Sequence, residues 1–263
     1  MTMKSRPGQF VCVTYESKLP IFQPTRTPKY TEEWEHKTTW GSVTVKGKLG
    51  QGHRDVLDSL LFGSEAQKIA DDQRLQILID PYRLRRFVSL GRSVLPHEYI
   101  TNLLQDLMEA EVDIDIPYLK LRITDGILSG FGKSSTTKMP SKGMEAIGVV
   151  APRHMMKVSF GQHWTQLLQA DLKVKYPLKH VIGLRHGASQ AIARYCLSQR
   201  KIHDTLDGLL ERVGYDTTDK THRAVNKTKE DIRSDGLTFQ SLGVTITETD
   251  TVHREASTGK RYS

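Results

Sequence analysis

Residues 219–246 read DKTHRAVNKTKEDIRSDGLTFQSLGVTI. Lys220, Arg223, Lys227, Lys229 and Arg233 put five basic side chains on 14 residues, after which the chain turns to β-branched alternation. The spacing predicts a helix capped at Thr218 or Asp219, followed by strands from 237 onward. Helical residues advance by about 100° each. With Val225 at the centre of the buried side, Ile232 falls within about 20° of it, and Thr221, Thr228 and Lys229 within about 60°. Lys220, Arg223 and Lys227 fall on the far side, with Asn226 and Glu230 toward the edges. Such a helix has a thin apolar stripe and a broad basic and amide face. Standing alone, a charge run of this kind reads as a solvated surface. Its meaning depends on what precedes it.

Two apolar segments precede it. GASQAIARYCLSQ, residues 187–199, places Ile192, Tyr195 and Cys196 on one face. KIHDTLDGLLERV, residues 201–213, places Ile202, Leu206, Leu209, Leu210 and Val213 on one stripe and stops at Gly214, a natural residue for a left-handed helix end. Three helices and then a hairpin is the order of a winged helix, in which the third helix is free to enter a major groove about 12 Å wide.

The same order is readable upstream. WGSVTVKGKL (40–49) alternates as a strand, HRDVLDSLLF (53–62) as a helix, and LQILID (75–80) as a short apolar strand. Asp80-Pro81 is an N-cap followed by proline at the first helical position and opens PYRLRRFVSL. Pro96 opens a further helix whose Ile100, Leu103, Leu104, Leu107 and Met108 share a face. YLKLRI and ILSGFGK flank Thr124-Asp125-Gly126 and read as a hairpin. EVDIDI (111–116) reads as a strand rather than a metal site.

These readings predict an α+β, mainly α chain with two winged-helix domains in tandem. Residues 1–38, with Pro7, Pro20, Pro24 and Pro28, form an extended or poorly ordered arm. Residues 39–133 form the first domain, 134–180 a connecting segment beginning with the loop SSTTKMPSKG, 181–247 the second domain and principal DNA reader, and 248–263 a polar, frayed tail. On the second domain, Lys220, Lys227 and Lys229 are expected to hold phosphates, and Arg223 and Asn226 to read base edges. In the first domain, Glu98 and Asp106 face outward on the third helix and repel phosphate. Its grip is expected from Arg83, Arg85, Arg86, Arg92 and Lys133, or the domain serves as an assembly surface.

Composition agrees with a nucleic-acid partner. The 263 residues are 37% hydrophobic and 26% charged, with a net charge of +8 and an isoelectric point near 9.4. Such a surplus favours an anionic partner through counterion release. No basic helix carries an aromatic opposite face, so a membrane partner is not expected. No apolar run reaches the roughly 18 residues of a span, and no signal peptide is read at the N-terminus; a cytoplasmic, nucleoid- or plasmid-associated protein is expected. Cys12 and Cys196 have no zinc spacing and are expected to be reduced, with Cys196 packed as a small hydrophobe.

Residues 183–216, GLRHGASQAIARYCLSQRKIHDTLDGLLERVGYD, followed by the basic helix and DGLTFQSLGVTI, resemble the C-terminal winged helix of plasmid replication initiators of the iteron-binding type. Leu184, Ala188, Gln190, Ile192, Tyr195, Leu209, Leu210, Gly214, Arg223 and Gly236 carry the resemblance, which covers roughly 180–246. It implies binding to repeated double-stranded DNA sites at a replication origin, opening of adjacent AT-rich DNA, and recruitment of host replication initiator and helicase-loading proteins. It also implies dimerisation through the N-terminal unit. The long connecting segment and the acidic third helix of the first unit depart from the family pattern.

Other classes fit less well. A repressor built on the same two domains shares every feature above. HVIGLRHGASQAIARY is superficially similar to the His-x-Leu-Arg-His box of tyrosine recombinases, but position 183 is Gly, and Tyr215 and Tyr262 do not have the spacing of the nucleophile. There is no phosphate-binding Gly-x-x-x-x-Gly-Lys-Ser/Thr loop, and LGQGH and GFGK read as short turns. No catalytic residue and no cofactor are expected.

Overall fold

The structure is a computed structural model and describes residues 10–90, 95–139, 152–170, 173–218 and 220–255. In chain order its elements are β1 (Phe10–Val13), α1 (Thr14–Lys18), β2 (Thr31–Thr38), β3 (Gly41–Gly47), α2 (Gln51–Gly63), β4 (Ala66–Ile69), β5 (Leu75–Ile79), α3 (Pro81–Val88) and α4 (His97–Glu109). Then come β6 (Glu111–Ile116), β7 (Leu121–Asp125), β8 (Leu128–Lys138), β9 (Arg153–Phe160), α5 (Gln162–Ala170), β10 (Lys173–Tyr176), α6 (Leu178–Gly183) and α7 (Gly187–Ser198). The remainder is β11 (Lys201–Thr205), α8 (Leu206–Arg212), α9 (His222–Ser234), α10 (Gly236–Ser241), β12 (Val244–Ile246) and β13 (Thr251–Glu255).

The strands form two four-stranded antiparallel sheets, β2-β3-β6-β7 and β4-β5-β9-β8, a three-stranded sheet β11-β13-β12, and the pair β1-β10. The chain is therefore an α+β protein rich in antiparallel sheet. The expectation of a mainly α fold is wrong, and two tandem winged-helix domains are not what the architecture shows. In the first half, β4 and β5 separate α2 from α3, and two sheets frame the helices.

The physical reasons for the differences are local. The hairpin expected at Asp125-Gly126 does not form. A two-residue hairpin turn of the Asp-Gly type needs positive φ at both central residues, and Gly126 is not among the glycines that adopt it. Instead Asp125 Oδ1 accepts a hydrogen bond from the Gly126 N–H at 2.8 Å, and the chain leaves one sheet for the other. β7 pairs with β6, and β8 pairs with β9. SSTTK, read as a loop, continues β8 to Lys138; residues 140–143 of that predicted loop lie outside the described residues. KIHDTLDGLLERV is not one helix. Thr205 Oγ1 accepts from the Gly208 N–H at 3.1 Å and caps α8, so the residues before it are free to pair as β11.

The ends are also more structured than the sequence suggested. Tyr15, Leu19, Ile21 and Phe22 are buried, which builds much of the expected arm into the core. In the expected tail, β13 is the central strand of its sheet, and Val252 is fully buried. LTFQS forms α10, not strand.

Several elements match their sequence patterns. Asp80 Oδ1 accepts from the Tyr82 N–H at 2.9 Å and caps α3. α4 buries Ile100, Leu103, Leu104 and Leu107, each contributing about 1.5–3 kcal/mol relative to exposure. Gly214 follows α8 with φ +75°, the left-handed geometry expected of it.

Buried apolar side chains divide into two clusters. One runs from Tyr15 to Leu168 and includes Trp164 and Phe160. The other runs from Tyr176 to Val252 and contains Ile192, Cys196, Leu209, Leu210, Ile232 and Phe239. Where α2 of the first meets α7 of the second, the contact is ionic. Arg194 donates to Asp55 at 2.6 Å, Asp58 at 3.1 Å and Gln51 at 2.7 Å, all buried. Arg54 pairs with Asp58 at 2.9 Å and Glu16 at 2.7 Å. Tyr176 donates to Asp58 at 3.1 Å. Burial works against the charge of Arg194, but Asp58 and Asp55 outweigh it and raise the guanidinium's pKa.

Candidate nucleic-acid interface

α9 begins at His222, with Thr221 Oγ1 accepting from the Ala224 N–H at 3.3 Å. The cap is thus Thr221 rather than Thr218; Asp219 lies outside the described residues. Ile232 is the buried residue of the helix, and Val225, Thr228 and Lys229 are half-buried. Tyr215 Oη and Thr228 Oγ1 share a hydrogen bond at 2.7 Å. The seated line thus runs through Val225, Thr228, Lys229 and Ile232.

This seating divides the five basic residues by role. Lys229 Nζ lies 2.6 Å from an Asp207 carboxylate oxygen and 3.6 Å from Asp250, with 13% of its side chain exposed. Arg233 Nε donates to Asp250 Oδ1 at 2.8 Å. Both charges are neutralised by acids of the same unit, and both fasten the helix to it. Lys229, expected to hold phosphate, faces inward.

The outward face keeps the rest. Arg223 is exposed and has no acidic partner among the described residues. Lys227 is 70% exposed and pairs with Asp231 one turn on at 3.3 Å, a surface contact worth about 0.3–0.5 kcal/mol that an incoming phosphate can displace. Lys220 Nζ lies 3.4 Å from the centroid of the Tyr215 ring, a cation–π contact that fixes the start of the face. Asn226 Nδ2 lies 3.2 Å from His222 Nδ1. His222 belongs to this face and was missed in the sequence; its spacing of four from Asn226 was the available signal.

Asp235, also missed, sets the pose of the helix. Its carboxylate accepts from the Arg185 N–H at 3.2 Å and the His186 N–H at 3.4 Å, just before α7. Arg185 itself is 71% exposed. An open groove of about 570 Å³ runs between α9, the start of α7 and the loop 23–31, and Lys29, Lys220, Tyr215 and Thr228 line it together with Asp216 and Asp231.

Three of the four arginines expected in the first unit lie on α3, but they are not equivalent. Arg83 pairs with Glu65 at 3.0 Å. Arg85 donates to the Leu95 carbonyl at 3.5 Å. Arg86 is exposed and sits 5.9 Å from the Tyr82 ring centroid. Lys179 of α6, which the sequence reading did not single out, joins Arg83, Arg86, Tyr82 and Phe87 around an open pocket of about 300 Å³. Lys133 is exposed on β8, opposite Met156 of β9, and lines neither opening. Arg92 lies outside the described residues. Among the described residues no helix is long and apolar enough to cross a membrane.

No family model and no curated protein matches the chain. Among solved structures it is similar to domains 2 and 3 of RctB, in the crystal structure of their selenomethionine derivatives, at 10% identity over 94% of each chain with a TM-score of 0.51. A second crystal structure of RctB domains 2-3 matches at 9% identity over 91% of this chain and 94% of that one, with a TM-score of 0.46. At 10% identity, the first likeness is one of fold: the arrangement of nearly the whole chain is shared with domains 2 and 3 of RctB.

Proposed function

We propose that the chain binds double-stranded DNA through the outward face of α9 and acts at a replication origin, where occupancy of repeated sites promotes local opening of the duplex. The observation that carries this reading is the division of charge on α9. Lys229 and Arg233 are held by Asp207 and Asp250, while Arg223 and Lys227 are exposed, as is Lys220 just before the helix, its ammonium resting on the Tyr215 ring. A helix fastened on one side and basic on the other is suited to a groove lined by phosphates. Lys220 and Lys227 hold phosphates, Arg223 and Asn226 meet base edges, and Arg83 and Arg86 add backbone contacts from the first unit. The mechanism is binding and distortion of DNA, without a bond-making step. The sequence resemblance to plasmid initiators over 180–246 supports the origin as the place of action and host helicase-loading proteins as partners. The fold shared with domains 2 and 3 of RctB is compatible with it.

The test is to select fragments from a random or genomic DNA pool with the purified protein and sequence them. Repeats spaced near one helical turn, about 10.5 bp, with AT-rich flanks are expected. Recovery of a lone operator without repeats points to a repressor instead, and absence of any enriched motif contradicts base reading by α9.

A further inference from the structure

His203 on β11 and His253 on β13 are direct cross-strand partners in antiparallel register. Alternation turns Ile202 and Val252 into the core and leaves the two imidazoles on the outer face of the sheet, beside Thr245 of β12. Their Nδ1 atoms lie 2.9 Å apart, and the ring centroids are separated by 4.6 Å with a 47° tilt. The arrangement brings one ring nitrogen of each histidine within 2.9 Å of the other.

We propose that this pair is a binding site for a divalent transition-metal ion that favours tetragonal nitrogen coordination, Ni²⁺ or Cu²⁺. The geometry supports the choice. Two metal–nitrogen bonds of about 2.05 Å at a right angle place the nitrogens about 2.9 Å apart, whereas a tetrahedral zinc site separates them by about 3.4 Å. The 2.9 Å separation of the hydrogen-bonded pair equals that of adjacent ligands on a tetragonal ion, so the rings need only re-aim their lone pairs, without moving apart, to hold one. Without metal, one Nδ1 carries the hydrogen that it donates to the other. Binding requires that ring to move its proton to Nε2, a change of tautomer that leaves both imidazoles neutral and both Nδ1 lone pairs free. Among the described residues no third histidine, cysteine or carboxylate completes a cluster, so water fills the remaining positions.

The site has a structural consequence that is independent of DNA binding. It ties β13 to β11 across 50 residues of sequence. β13 leads out of the turn holding Asp250, the acid that receives Lys229 and Arg233 of α9. Metal bound only by the folded form therefore stabilises the sheet that supports the basic helix.

The experiment is calorimetric titration of the untagged full chain with NiCl₂ and, separately, ZnCl₂, in a buffer free of imidazole and chelators. The expected result is one equivalent of Ni²⁺ bound, with affinity at least tenfold weaker in His203→Ala and in His253→Ala. A parallel measurement needs no variant: substoichiometric Cu²⁺ added to the isotope-labelled chain broadens the NMR signals of His203, His253 and Thr245 first. Unchanged Ni²⁺ affinity in both variants overturns the site, as does broadening that starts at other histidines. Zn²⁺ binding tenfold tighter than Ni²⁺ overturns the tetragonal assignment.

Discussion

Arg194 of α7 and Asp55 of α2 meet at 2.6 Å, with 4% and 1% of their side chains exposed, and this ion pair joins the two hydrophobic clusters. A pair so deeply buried adds little relative to an apolar contact of the same shape, but removing one partner leaves the other charged in a low-dielectric site. Arg194→Ala leaves Asp55 with only the more distant Arg26 at 3.8 Å as a cation, and takes from Asp58 one of its two guanidinium partners, the other being Arg54. A loss of about 3–5 kcal/mol is expected, read from the urea midpoint. A loss below about 1 kcal/mol would mean that water or a neighbouring cation replaces the guanidinium.

Lys227 and Lys229 are two residues apart and are expected to fail in different ways. Lys229→Ala unpairs Asp207 and loosens the α9 seat at Asp250. It lowers thermal stability and weakens DNA binding only through that loss. Lys227→Ala leaves stability within about 0.5 kcal/mol and weakens binding to all DNA sequences alike. Melting curves and a fluorescence anisotropy titration on the same preparations separate the two outcomes.

Gly214 takes φ +75°, and a Cβ there would come within 2.8 Å of Trp34 Cζ2 and 3.0 Å of Pro20 Cβ. Gly214→Ala therefore meets both backbone strain and a clash where the loop after α8 packs on β2. Strain of this kind costs about 1–3 kcal/mol. The change should lower the melting temperature without altering the salt dependence of DNA binding.

Stability should fall on mild acidification. Burial lowers the pKa of His53 in the folded chain, against the opposing pull of its hydrogen bond to Asp106, and burial likewise lowers that of His36, against Asp216. Above the ordinary histidine value, about 6.5, both rings are neutral in the folded and unfolded chain alike. Below it the unfolded chain takes up protons that the folded form resists, so stability is lost as pH falls toward the depressed folded values. Urea midpoints measured from pH 8 to pH 5 should be flat at first and then decline. A flat profile throughout would remove both histidines from that role. Cys196 behaves differently: burial pushes its thiol up to about 12, and alkylating reagents should reach it only on unfolding.

What could be read in the sequence was whatever is written within one element. Asp80 before Pro81, the apolar face of α4, the helix ending at Gly214 and the basic outward face of α9 all depend on residues within a turn or two of each other. What could not be read depends on partners far away in the chain. Arg194 lies in an apolar helix and finds Asp55 139 residues earlier. Lys229 is within a cationic run, and its inward role is set by Asp207 and Asp250. The strands at the ends of the chain have the same character: Phe10 pairs with Tyr176, and His253 with His203. Turn composition alone suggested a hairpin at Asp125-Gly126, and only the backbone conformation of Gly126 reveals that the chain changes sheets there. The excess of helix in the sequence reading comes from the same source, because sheet pairing leaves no local period when strands are short.

The most direct test of α9 as the DNA-binding surface is the salt dependence of duplex affinity. The logarithm of the binding constant, followed from low to moderate salt, should fall linearly with a slope set by the number of phosphates neutralised. In Lys220→Ala and in Lys227→Ala the slope should drop by about one each. In Arg223→Ala affinity for a selected site should fall by about 1–3 kcal/mol with relaxed preference at one position. If the slope, the affinity and the preference were all unchanged in the three variants while each remained folded, the exposed face of α9 would not be where DNA binds.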